Sequence, residues 1–154
     1  MLTPDERAEI EAEFPRYPNR KAVSIDAMKI VQKHRGWVSN DALRDIGELL
    51  GMSATDLDGI ATFYNLIFRR PVGRHVIYIC DSVSCWIMGS DRQCSHIAER
   101  LKLQLGDTTA DGRFTLIPIV CLGACDHAPV MMIDDDTHLD LTSEKIDRIL
   151  ERYT

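Results

Sequence analysis

Four of the five cysteines fall into two close pairs, and this pattern constrains the chain more than anything else in it. Cys80 and Cys85 are separated by four residues and Cys121 and Cys125 by three, with 35 residues between the pairs. Cys94 stands apart. The N-terminal stretch MLTPDERAEIEAEFPR has neither the apolar core of a signal peptide nor the acid-poor character of a transit peptide. The chain is therefore expected to stay in a reducing cytoplasm, where paired cysteines point to metal binding or catalysis rather than to a disulfide framework. A net charge of −6 argues against nucleic acid and anionic lipid as partners. No apolar run is long enough to insert into a membrane.

The pairs sit in the second of two segments, and the fold class expected is α+β. Residues 1–72 read as a small helical bundle. Thr3-Pro4-Asp5-Glu6 is a capping box with proline at the first helical position, opening a helix that stops near Phe14. A second helix is expected over Lys21 to Arg35 and a third from Ser39 or Asn40 to Gly51. A fourth, capped by Ser53, is expected to reach Tyr64 to Ile67. Residues 73–154 read as an α/β domain of order β-α-β-β-β-α. Strands are expected at His75–Cys80, at Phe114–Val120 (an edge, given Pro118), at Pro129–Asp134 and at His138–Leu141. Helices are expected over Trp86–Leu105 and, capped by Ser143, to Tyr153.

Both pairs then lie in loops at the carboxyl ends of strands, where open α/β sheets hold their ligands. Gly123 allows the backbone to approach whatever the sulfurs bind. Four thiolates suit structural zinc, although two-residue spacing within each pair is commoner there. Wider spacing suits [2Fe–2S], whose ligands straddle two irons. Both stay open on spacing alone. Dithiol catalysis would want Cys-x2-Cys, which is absent. Cys94 shares a helical face with Ile97, Ala98, Leu101 and Leu105, so it reads as a packing residue. His127 is either a hydrogen-bond neighbour of the site or a solvated loop residue; the other four histidines read as surface or core. Trp86 is expected to pack and keep water off the site, and Asp134-Asp135-Asp136 to form a solvated turn. No G-x-G-x-x-G or P-loop occurs.

Three stretches carry a resemblance: Ala61-Thr62-Phe63-Tyr64, CDSVSCWIMGSD, and DGRFTLIPIVCLGACDHAPVMMIDDDTHLDLT. Together they resemble the thioredoxin-like [2Fe–2S] subunit of bacterial NADH:quinone oxidoreductase, respiratory complex I. The likeness runs over nearly the whole chain. It implies a thioredoxin-like fold for residues 73–154 and one [2Fe–2S] cluster per chain, with Cys80, Cys85, Cys121 and Cys125 as ligands. It also implies a partner subunit carrying FMN and NADH, further peripheral-arm subunits, and a place on the cytoplasmic face of the bacterial inner membrane. All-thiolate ligation implies a potential near the plant-type value of about −400 mV. The same module in a soluble NAD-linked hydrogenase or formate dehydrogenase is the alternative; a zinc-binding interaction domain is the other. Phe63, Tyr64 and Phe68 are candidates to anchor a partner or to be buried between the two domains.

Overall fold

The computed structural model describes residues 1–154, which divide into two compact units, Met1–Pro71 and Val72–Thr154. The first is all helical: α1 (Pro4–Glu13), α2 (Ser24–Arg35), α3 (Asn40–Leu50) and α4 (Ala54–Phe63). The local signals act as their chemistry requires. Glu6 N–H donates to the Thr3 hydroxyl at 3.2 Å and the Glu6 carboxylate accepts from Thr3 N–H at 2.8 Å. Ser39 and Ser53 accept from Ala42 and Asp56 N–H groups. Gly36 and Gly51 end α2 and α3 at φ +81° and +68°.

Two helices are shorter than expected. Residues Arg20–Val23 form a 3-10 turn set by the Asn19 side chain, so α2 begins at Ser24. Helix α4 ends at Phe63 because the following segment is captured by a distant side chain. The Gln32 amide donates to the Leu66 carbonyl at 2.9 Å and accepts from Phe68 N–H at 2.6 Å. Ile10, Met28, Leu43, Ile46 and Leu57 fill the core of this unit. Phe63 and Tyr64 stack edge to face on its surface, 76% and 43% exposed, and Phe68 is half-buried.

The second unit is a four-stranded sheet in the order β2-β1-β3-β4, with strands β1 (His75–Cys80), β2 (Phe114–Ile119), β3 (Met131–Ile133) and β4 (Asp136–His138). Strands β1 and β2 are parallel; the other pairs are antiparallel. Pro118 sits on β2, an edge strand, where its missing N–H costs no ladder bond. The one helix expected over Trp86–Leu105 is two, α5 (Val83–Ile87) and α6 (Ser90–Leu101). Gly89 at φ +93° breaks the helix, and Lys102 at φ +54° ends it, leaving Leu105 51% exposed and off the apolar face. The last hairpin turns at Asp134-Asp135, so β4 starts earlier than expected. Asp134 is no solvated turn residue: its carboxylate accepts from Val76 N–H at 2.9 Å and contacts His75 Nδ1 at 2.7 Å. Helix α7 (Ser143–Leu150) is capped by Thr142 rather than Ser143. Phe114, Ile77, Leu116, Ile97 and Ile146 are fully buried around the sheet.

Candidate metal centre

The parallel register decides where the cysteine pairs meet. His75 pairs with Phe114 and Cys80 with Ile119, so both strands finish at the same end of the sheet. Cys80 is the last residue of β1; Cys121 lies two residues beyond β2 rather than closing it. Asp81 N–H donates to the Ile119 carbonyl at 3.0 Å and Cys80 N–H to the Val130 carbonyl at 3.1 Å, fixing the exits of β1 and β2 and the entry to β3 against one another.

The first loop is short and turns into α5, which carries Cys85 inward. Cys80 and Cys85 are each 2% exposed, packed with Ala128 and Val130 and flanked by Leu122, Ala124 and Leu139. Burial pushes the Cys85 thiol up to about 11, its hydrogen bond with Cys80 adds to this, and the charges of Cys80 and Cys125 act in the same direction. A bound metal reverses that balance, because a coordinating thiol is deprotonated outright.

The second loop is more open. Cys121 and Cys125 are exposed, the latter opening a 3-10 turn over Cys125–His127. Gly123, at φ +79°, turns its N–H onto the Cys121 sulfur at 3.3 Å. Such a donor stabilises thiolate charge. Cys80 and Cys85 thus pack side by side, and Cys125 is near enough for its charge to act on Cys85. The four do not close into a set: no group of three or more His, Cys, Asp or Glu side chains converges at metal-binding range.

The neighbours differ in part from expectation. Trp86 does not shield the site; it is 59% exposed, as are Val83 (65%), Ile87 (70%) and Met88 (61%). A five-residue helix has one inward face, and Cys85 occupies it. The unbroken apolar run Cys85-Trp86-Ile87-Met88 is the sequence signal for this surface, since no single helix face can bury consecutive residues. His127 is bonded rather than simply solvated. Its Nδ1 lies 3.1 Å from the Asp140 carboxylate, and its carbonyl accepts from Asp140 N–H at 2.8 Å. Nothing in the sequence pointed to Asp140, which comes from beyond β4. Cys94 is half-buried against the sheet core, and burial raises its thiol pKa.

Residues 10–154 match the family of thioredoxin-like [2Fe–2S] ferredoxins. The chain belongs to this family. It is 52% identical over 153 residues to a subunit of the NADH-quinone oxidoreductase of Pseudomonas aeruginosa, covering 99% of this chain and 92% of that protein. It is 53% identical over 152 residues to the NADH-quinone oxidoreductase subunit of the same designation in Escherichia coli K12, with the same coverage. A solved NAD+-reducing [NiFe]-hydrogenase in the H2-reduced state shares the architecture with a TM-score of 0.68 and 25% identity, over 82% of this chain and 22% of that longer one. This family member is an electron-transfer subunit of the NADH-quinone oxidoreductase type. The residues present suit the family's cluster chemically: an all-sulfur donor set, apolar walls on one side and a backbone N–H already aimed at a sulfur.

Proposed function

We propose that Cys80, Cys85, Cys121 and Cys125 hold one [2Fe–2S] cluster and that the chain relays single electrons from a flavin on a partner subunit within an NADH-quinone oxidoreductase. When bound, the cluster supplies a one-electron acceptor and donor. The observation that carries this reading is the parallel pairing of β1 with β2, which brings two cysteine loops to one end of the sheet in a chain of this family. On this reading residues 73–154 are the cluster domain and residues 1–72 a helical bundle domain. The chain's own residues have three tasks. The cysteines bind; Ala128, Val130 and Leu139 exclude water from one side; Gly123 N–H offsets negative charge at Cys121.

The partner holds FMN and NADH, and the assembly works on the cytoplasmic face of the inner membrane. No helix of the chain is long and apolar enough to cross that membrane. Docking next to the cluster is supported by the outward face of α5. Val83, Trp86, Ile87 and Met88 expose a contiguous apolar surface on the helix that carries Cys85, and tryptophan is enriched at interface hot spots. The likeness to an NAD+-reducing hydrogenase favours a second reading, the same relay in a soluble dehydrogenase.

The test is direct. Purified protein should be red-brown with about two irons per chain, and serine at any of the four positions should strongly impair cluster assembly. A colourless protein holding one zinc would sink the reading. The chains that co-purify at native abundance separate the membrane complex from the soluble one.

A further inference from the structure

One face of α7 has no part in holding a cluster. Lys145, Arg148 and Arg152 follow one another at i, i+3 and i+7 with Ile149 beside them, and the helical backbone persists through Glu151. These four residues and His138 line an open cavity of about 330 Å³. Ile149 is 3% exposed and gives the cavity its apolar part. Lys145 Nζ is anchored on the Leu139 carbonyl at 2.6 Å and Arg148 Nε on the Glu144 carbonyl at 3.3 Å, so both are positioned without being neutralised. The carboxylate of this helix that does form ion pairs, Asp147, is taken by His96 and Arg100. Asp136 faces His138 from β4 and accepts the Tyr153 hydroxyl at 2.9 Å. The positive field is felt inside the cavity. The pKa of His138 lies below the ordinary histidine value, through burial first and then Arg152 and Lys145, with Asp136 opposing. A helix C-terminus favours cations by itself, but that does not make three of them converge on one cavity in a chain of net charge −6.

We propose that this face docks an acidic, carboxylate-rich segment of a neighbouring protein subunit. The spacing suits that class of ligand. Seven helical residues span about 10 Å, so the three cations form a row that several anionic groups can occupy at once. An extended segment with acidic residues at alternate positions sets two carboxylates ~7 Å apart, within the length of this row. Nucleic acid is the competing polyanion, and the DNA arm of the experiment below separates the two. The proposal rests on the reading above in one respect, that the chain works beside other subunits.

The experiment uses the cluster-loaded chain and a fluorescein-labelled octaglutamate peptide, followed by anisotropy. Wild type should bind in low salt and lose the peptide as salt rises. Arg148→Glu with Arg152→Glu should weaken binding by about tenfold or more, and the paired glutamine variant by less. Both arginines are exposed, and circular dichroism checks that the fold is kept. Equal binding by wild type and the charge-reversed variant overturns the proposal. So does full displacement of the peptide by inorganic phosphate at equal charge concentration, or tighter binding of a short DNA duplex than of the peptide. An unchanged visible spectrum in all variants shows that any such failure concerns this face and not the electron relay.

Discussion

Replacing Glu6 by glutamine tests whether one buried charge pair holds the helical unit together. Glu6 is fully buried on α1, and the Arg35 guanidinium at the end of α2 grips it twice, Nε to Oε1 at 2.6 Å and a terminal nitrogen to Oε2 at 2.5 Å. These bonds hold the Glu6 carboxyl down at about 2 from 4.5; burial opposes them, and the Thr3 N–H bond assists. At about 1.4 kcal/mol per unit, that difference corresponds to a ceiling of about 3 kcal/mol. Arg35 keeps 29% of its side chain in water, so screening brings the value to roughly 2–3 kcal/mol. Because the folded-state pKa is the depressed one, the stabilisation is fully present above pH 4.5 and is lost as pH falls through 2. Urea unfolding of wild type and Glu6→Gln, followed by far-ultraviolet circular dichroism, should therefore differ by roughly 2–3 kcal/mol at pH 7 and by less than about half of that at pH 3. Glutamine can still accept from Thr3 N–H, so the cap survives and the difference reports the charge. A gap that stays constant between pH 7 and pH 3 would refute the reasoning.

Four further outcomes are expected. Gly123→Ala should cost about 1–2 kcal/mol by urea midpoint, all of it from the φ of +79°, since an added Cβ meets nothing within 4 Å. Cys94→Ser should keep the full visible spectrum of the cluster with at most about 1 kcal/mol of destabilisation, because it lies outside both loops. Phe114→Ala should destabilise the sheet unit by about 3–5 kcal/mol in chemical denaturation, because the ring is fully buried where β2 meets the core. Trp86→Ala should retain stability and spectrum yet lose co-purification with the flavin-bearing partner proposed above; retained co-purification would remove the α5 surface from the docking face.

What the sequence determined by itself is whatever depends on near neighbours along the chain. The capping box at Thr3, the serine caps of α3 and α4, the glycine stops at 36 and 51 and the bounds of β1 are all local hydrogen bonding or backbone sterics. The cysteine pairs belong to the same class, since their spacing is a property of two short loops. Where local signals compete, the outcome was not legible. Gly89 could have been tolerated within a helix, yet its left-handed backbone splits α5 from α6. Thr142 and Ser143 are both capping residues, and it is the Thr142 hydroxyl that accepts from Lys145 N–H at 3.2 Å. Long-range pairing lay beyond the sequence altogether. The capture of residues 66–68 by Gln32, the clamp of Arg35 on Glu6, and the hold of Asp140 on the turn after Cys125 join residues far apart in the chain. The parallel register of β1 and β2 is of the same kind. Both strands are apolar runs that any neighbour could pair, and only packing of the whole sheet chooses the partner, the direction and so the end at which the two cysteine loops come together.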